Sequence, residues 1–185
     1  KVVAINWRWI VITLMLFVSY FMALTYGQPL TTLLGDFDWN WGGKLAGIAL
    51  WLIVLILTAY LKPNFSPADA GFTLRQNPAL LRDSLIVPAG LVLFHMALVS
   101  YLGGSTPSTE GLLYQALMPG LDEEPHFRGI LLYFFSLALI SRKFSVWKAD
   151  LTIAGLLLVL TFALVHALEV TFTSWQFYPL PFFIA

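Results

Sequence analysis

Long uninterrupted apolar runs constrain this chain more than any other feature of its sequence. Several runs are about 17 to 20 residues long, enough for a helix to cross the roughly 30 Å hydrocarbon core of a bilayer. Of the 185 residues, 59% are hydrophobic and only 11% are charged, and the mean hydropathy is +0.81. A soluble domain of this length needs more polar surface than that. The sequence therefore predicts an all-α protein, a polytopic transmembrane helix bundle.

We expect five clear spans in a single transmembrane domain over residues 1–185, at about 7–26, 45–61, 85–102, 122–140 and 151–167. The chain begins with Lys1 instead of Met and ends in an apolar run at 181–185, which predicts the start of a sixth span and truncation at both ends. A signal peptide is the alternative for the first run, because Lys1 and Arg8 resemble its positively charged start. The run is long for that role and no small-x-small cleavage site follows, so we favour a membrane anchor.

The segments between the spans are rich in helix breakers and polar residues. Residues 27–43 contain several glycines and aspartates and are expected to form a loop, and residues 62–83 are the most polar part of the chain. Residues 109–118 are expected to form a short interfacial or re-entrant helix that ends at the Pro119-Gly120 break.

Charge and cysteine content exclude two classes of function. The net charge is zero, so no basic face predicts a nucleic-acid partner, and the absence of cysteine excludes disulfides and thiolate chemistry. If the amino terminus is cytoplasmic, eight of the ten Lys and Arg residues fall on the cytoplasmic side, and Lys44 is the one base among the acidic outer loops. This bias predicts the orientation of the chain in the membrane.

Several ionisable side chains lie near the start of the fourth span and the end of the fifth, and their position requires a physical explanation. Placing such a group in hydrocarbon costs several kcal/mol unless the group is paired or hydrated. These side chains are Asp122, Glu123, Glu124, His126, Arg128 and His166. One interpretation is interfacial: Asp122 caps the helix, and the acids lie at the positive end of its dipole.

Helix geometry favours a second interpretation, that of a reactive site. Glu124 and Arg128 are four residues apart and can form an ion pair, which leaves Glu123 without a local cation. A partly desolvated carboxyl group in that condition tends to have a raised pKa, as a general base requires. Counted back from Arg142 or forward from Asp150, at roughly 1.5 Å per residue, Glu123 and His166 lie at a similar height on antiparallel spans. We expect them to share a hydrated pocket.

For the histidines a simpler role is also open. A lone histidine on an apolar helix is more often a core residue or an interhelical hydrogen-bond partner. His95 in the third span has only that interpretation, whereas His126 either flanks the site or bonds locally.

Two motifs on consecutive spans resemble those of one protein family. Residues 123–129 read Glu-Glu-Pro-His-Phe-Arg-Gly, an E-E-x-x-x-R pattern, and residues 162–166 read Phe-Ala-Leu-Val-His, an F-x-x-x-H pattern. Together, within a core of residues 119–166, they resemble the CPBP (or Abi) family of intramembrane proteases, which includes the CAAX-processing endopeptidases and bacteriocin-immunity relatives.

The resemblance implies a helical membrane fold with the site in a cavity between helices. It implies that Glu123 and His166 activate the hydrolytic water, that Glu124 and Arg128 support them, and that Phe162 shapes the cavity. The family usually has a later span with a further His and an Asn or Asp, which this sequence does not contain. Pro125 and His126 also stand where apolar residues are more usual. Both departures leave room for a specialised or inactive member.

The sequence is compatible with a site that uses a metal ion and with one that does not. Zinc is a candidate cofactor, but Glu123, His126 and His166 are a thin ligand set, since zinc usually takes three firm protein ligands and a water. We favour a water activated by Glu and His without metal.

The leading hypothesis is therefore an intramembrane endopeptidase, with the lipid bilayer and a peptide or membrane-protein substrate as partners, in a bacterial inner membrane. The alternative is a non-catalytic immunity or scaffold protein of the same family. A transporter is a third hypothesis, against which the lack of an inverted repeat counts.

Overall fold

The computed structural model describes residues 3–73, 86, 89–90, 92–94, 96–97, 100–101, 108–141, 143–146, 149–170 and 175–178. Only isolated residues of the predicted third span at 85–102 are among them, and these are helical. His95 and the predicted sixth-span start at 181–185 lie outside the described residues.

Helices make up most of the described chain. They are α1 (Trp7–Gly27), α2 (Leu30–Leu34), α3 (Trp41–Leu61), a 3₁₀ turn (Pro67–Ala70), α4 (Thr109–Met118), two π-helical segments (Pro119–Glu123 and Pro125–Leu131), α5 (Leu132–Ala138) and α6 (Ile153–Ala167). The predicted helical class is correct for the bulk of the fold.

Short strands, which the all-α prediction did not include, are the exception. They are β1 (Val3–Ile5), β2 (Leu139–Ser141), β3 (Phe144–Val146), β4 (Ala149–Leu151), β5 (Leu168–Val170) and β6 (Trp175–Phe177). They pair antiparallel as β1-β2, β3-β4 and β5-β6, each pair with three residues per strand. Each pair joins chain segments next to helix ends, where the backbone groups no longer find partners within a helix.

Two described helices, α1 and α3, are long and apolar enough to cross a bilayer. Each has 21 residues, a length of about 32 Å at the usual rise. Helix α6 is apolar but shorter, and its bounds lie within two residues of the predicted fifth span.

Helix α3 begins at Trp41, four residues before the predicted start of the second span. Gly42 and Gly43 had indicated a loop, yet both lie inside the helix, where the side chain of Asn40 accepts a hydrogen bond from Gly43 N at 2.8 Å. A Cβ at Gly42 would overlap the backbone of Gly27, and one at Gly43 would overlap Leu24 O. The glycines therefore permit close packing of α1 on α3 instead of ending the helix.

The predicted break at Pro119-Gly120 is wrong, because the chain stays helical through both residues. Pro119 has φ −57° and ψ −43°, and the hydrogen bonding changes there from α to π. Proline has no N–H to donate, so the α-helical bonds at Pro119 and Pro125 cannot form. Leu121 O, the acceptor that an α-helix would give residue 125, instead accepts from the Trp51 indole at 3.1 Å. Residues 109–138 thus form one helical run from α4 to α5.

This helical run lies antiparallel to α1. Strand β1 pairs with β2, and Asn6 N donates to Ala138 O at 2.8 Å, so the end of the run meets the start of α1. A core of Tyr20, Phe127, Leu131 and Leu158 joins α1, the run and α6. Near the middle of the run, residues 122–123 lie beside the start of α3 and the end of α6.

Candidate functional site

Four ionisable side chains from three parts of the chain meet where the helical run passes α3 and α6. We call Lys44, Asp122, Glu123 and His166 the charge cluster. Lys44 Nζ lies 2.5 Å from Glu123 Oε1 and 3.1 Å from Asp122 Oδ2. His166 Nε2 lies 3.6 Å from Glu123 Oε2. The structure thus brings together Glu123 and His166, the two residues to which the sequence assigned the chemistry.

Lys44 is the cation that the sequence did not place at Glu123. It lies in the first turn of α3, with its side chain only 10% exposed. Because Gly42 and Gly43 are helical, Lys44 faces the run instead of a loop. Glu123 has no cationic partner in its own helix, as expected, but it has one 79 residues away. The prediction of an unpaired carboxylate with raised basicity is therefore wrong.

Asp122 is completely buried, which contradicts both the interfacial interpretation and the helix-capping role. Its Oδ2 accepts a hydrogen bond of 2.7 Å from the hydroxyl of Tyr20, a core residue of α1. Its Oδ1 packs against Gly47, where a Cβ would overlap it. The residue lies inside a helical run and not at its start, so its carboxylate serves tertiary contacts instead of the helix terminus.

His166 presents one defined nitrogen to Glu123. Its Nδ1 lies 2.9 Å from Phe162 O, a carbonyl that can only accept, so Nδ1 carries the proton of that bond. In the neutral ring Nε2 is then an acceptor facing the carboxylate at 3.6 Å, beyond direct hydrogen-bond length. A water donating to both atoms would satisfy this pair of acceptors. Phe162 packs on the imidazole with ring centroids 4.3 Å apart.

Glu124 and Arg128 form the predicted ion pair, with Arg128 Nε 3.0 Å from Glu124 Oε2. Their side chains are 42% and 71% exposed. They border an open cleft of about 240 Å³ together with Ala70, Gly71, Phe72, Pro125 and Gly129. Neither Glu123 nor His166 lines that cleft, so the structure sets this pair apart from the charge cluster.

His126 lies behind the charge cluster instead of flanking it. The residue is completely buried and stacks on Tyr20, with ring centroids 4.2 Å apart and planes 14° apart. Neither ring nitrogen has a hydrogen-bond partner within the part of the chain that the structure describes.

The described residues do not fit a bound metal. Across residues 3–73, 108–141, 149–170 and the shorter described pieces, no three His, Asp or Glu side chains are grouped to hold an ion. The Lys44 ammonium also lies against Glu123 Oε1, where a cation would bind.

Lys44, Asp122 and Tyr20 belong to this site, although the sequence did not assign them to it. Lys44 did carry a signal, because it is the one base predicted on the acidic outer side. Tyr20 carried none, since an aromatic residue near the end of an apolar span is ordinary in a membrane protein.

Comparisons with protein-family models, with curated proteins and with solved structures find no match to this chain.

Proposed function

We propose that the chain is an intramembrane endopeptidase that hydrolyses a peptide bond with a water activated by Glu123 and His166. The observation that carries this proposal is the 3.6 Å approach of Glu123 Oε2 and His166 Nε2, which come from separate helices. The two motifs of the resemblance support it, because they supply these same two residues.

The chemistry uses groups that already face one another. Glu123 Oε2 takes a proton from the water while the water oxygen bonds to the substrate carbonyl carbon. His166 Nε2 accepts the other water proton in a hydrogen bond and so fixes its orientation. Collapse of the tetrahedral intermediate breaks the C–N bond, and the proton held by Glu123 passes to the leaving nitrogen.

The exposed apolar surface supports a membrane setting for this reaction. Large apolar side chains at the helix ends and along the helix flanks stay exposed, among them Trp7, Tyr26, Tyr60 and Leu61. Aromatic residues at span ends are typical of the two membrane interfaces. In a bacterial inner membrane with a cytoplasmic amino terminus, the charge cluster would lie near the outer surface. The substrate would be a peptide or a membrane-protein stub at that depth.

One observation favours a non-catalytic immunity or scaffold protein instead. The Lys44 ammonium at 2.5 Å from Glu123 makes the carboxylate part of an ion pair that joins α3 to the helical run. Buried ion pairs of this kind often serve helix packing alone.

A labelled-water assay separates the two functions. The full protein in lipid vesicles is incubated in ¹⁸O-water with a pool of peptides from solubilised membranes, and mass spectrometry scores new carboxyl termini that carry ¹⁸O. We expect the native protein to produce them and Glu123→Gln to reduce them by at least about 100-fold, as loss of a general base does. Asp36→Asn, which alters an exposed loop carboxylate, is the matched control and is expected to cleave normally. Equal cleavage by Glu123→Gln, or none by the native protein, would rule out the assigned reaction.

A further inference from the structure

One ammonium in the charge cluster is shared between two carboxylates. We propose that Lys44 and Asp122 are positioning residues, in which Lys44 orients Glu123 and Asp122 limits how much of the Lys44 charge Glu123 receives. The inference rests on the proposed function, because it explains how a carboxylate that is ion-paired keeps enough basicity to activate water.

Lys44 and His166 approach different oxygens of the Glu123 carboxylate. Lys44 Nζ contacts Glu123 Oε1, whereas Oε2 of the same carboxylate is the atom that faces His166. The ammonium therefore fixes the carboxylate plane by one oxygen and leaves the other for the water. Lys44 itself is only 10% exposed, so bulk water competes little for its protons.

The positive charge of Lys44 faces two carboxylates. A carboxylate paired with a cation of its own is a weak base, because the ion pair stabilises the ionised form. Here Lys44 Nζ also lies 3.1 Å from Asp122 Oδ2, so two negative charges face one positive charge. With His166 neutral, the charge cluster carries a net charge of −1. The negative charge of Asp122 thus offsets part of the decrease in Glu123 basicity that the Lys44 charge causes.

Contacts on both carboxylate oxygens hold Asp122 in this role. The hydroxyl of Tyr20 donates to the oxygen that also faces Lys44, and Gly47 packs against the other oxygen. The titratable groups that interact with Lys44 come from α4, the π-helical segment and α6, and they are Tyr114, Asp122, Glu123 and His166. Tyr20 of α1 acts on the other partner, Asp122, through its hydroxyl.

Two single substitutions with opposite charge effects test this arrangement. In Lys44→Met the site becomes more negative, and we expect the acid limb of the pH profile of kcat/KM to move up by about one pH unit. In Asp122→Asn the amide oxygen can still accept the hydrogen bond from Tyr20, but Glu123 is then the one carboxylate that faces the Lys44 charge. We expect the acid limb of the pH profile to move to lower pH by a similar amount. A purely structural role would lower the rate in both variants without moving the limb in opposite directions.

A second measurement does not depend on cleavage. ¹⁵N NMR of histidine-labelled protein follows the imidazole signal that is absent in His166→Gln. Its titration midpoint is expected at higher pH in Lys44→Met and at lower pH in Asp122→Asn. If the protein cleaves nothing but these midpoints move as stated, the proposed function fails and the charge sharing stands.

The double variant Lys44→Met/Asp122→Asn is the control that distinguishes a charge effect from misfolding of the single variants. It removes one charge of each sign and keeps the net charge of −1, so both the acid limb and the midpoint are expected to return close to their native positions. Shifts of equal sign in the two single variants, or no shift in any variant, would overturn the proposal.

Discussion

Gly47 of α3 leaves free the space that the Asp122 carboxylate occupies. A Cβ built at Gly47 would overlap Asp122 Oδ1 and would also lie 3.1 Å from the ring of Tyr20. Neither neighbour can move easily, because Tyr20 and Asp122 are hydrogen-bonded to each other and are both buried. The charge cluster therefore requires a residue without a Cβ at position 47.

Gly47→Ala should therefore destabilise the protein. We expect a loss of about 1 to 3 kcal/mol, as for overpacking in a well-packed interior, measured by chemical or thermal unfolding in detergent. Gly120→Ala is the matched control, because no atom lies within 4 Å of its Cβ position and the residue is also helical. That substitution should be neutral or mildly stabilising. A Gly47→Ala protein as stable as the native one would contradict the close packing of Asp122.

Helix geometry predicted the Glu124–Arg128 ion pair and the approach of Glu123 to His166, whereas the Lys44 contacts of the charge cluster are long-range. The Glu124–Arg128 pair follows from a separation of four residues, and the structure confirms it. Lys44 is 79 residues from Glu123 in sequence, so no local pattern connects them. The two glycines before Lys44 also indicated a loop, since the partner helix that makes them favourable is visible only in the fold.

At the scale of elements, Glu110 connects the segment before α3 to the first turn of α4. Its Oε2 accepts from Asp38 N at 3.1 Å, and its Oε1 accepts from Trp39 N and the Trp41 indole, each at 3.0 Å. Desolvation opposes ionisation of this carboxyl group, but the three hydrogen bonds outweigh it, so the pKa of Glu110 lies below the ordinary 4.5. The connection between the two segments therefore depends on pH.

The sign of that dependence is fixed by the lowered pKa. Glu110 contributes stability above about pH 4.5, and the contribution is lost as the pH falls through the lower pKa of the folded state. We expect the thermal unfolding temperature of the native protein to decrease as the pH is lowered through that window. For Glu110→Gln we expect a lower unfolding temperature at neutral pH and a smaller decrease over the same pH range. Asp36→Asn, which removes an exposed carboxylate from the segment before α3, is the matched control and is expected to keep the native difference between neutral and acid pH. A Glu110→Gln protein with the native acid response would remove Glu110 as the cause.

The elements themselves were predicted well where long apolar runs defined them and poorly at helix-breaking residues. Helices α1, α3 and α6 lie within a few residues of the predicted first, second and fifth spans. Pro119 was expected to break the helix, because a missing N–H usually ends one. In the structure the hydrogen bonding widens from α to π there, and Trp51 satisfies a carbonyl left free by Pro125. That compensation comes from another helix and has no local signal.

At the scale of the whole molecule, the distribution of lysine and arginine predicts a cytoplasmic amino terminus. The loop before α3 and the segment after it would then lie on opposite sides of the membrane. The chain contains no cysteine, so single cysteines can be introduced without background. Asp36 and Asn64 are exposed and lie in these two segments.

A labelling experiment tests this orientation. In intact cells, an impermeant maleimide is expected to label Asp36→Cys and to leave Asn64→Cys unlabelled until the membrane is opened. The physical reason is that the thiol of Asn64→Cys would lie behind a bilayer that the reagent does not cross. The reverse pattern would invert the orientation, and labelling of both sites in sealed cells would mean that α3 does not cross the membrane.

The 79-residue separation between Lys44 and Glu123 has a consequence for biogenesis. A ribosome makes α1 and α3 well before residues 122 and 123, so a pair of these helices that entered a bilayer during synthesis would carry a lysine whose counter-ions had not yet been made. Placement in the first turn of α3 would let that ammonium reach the headgroup layer in the meantime. Packing of the later helical run would then bring Asp122 and Glu123 to the lysine, so neutralisation of its charge would accompany that packing step.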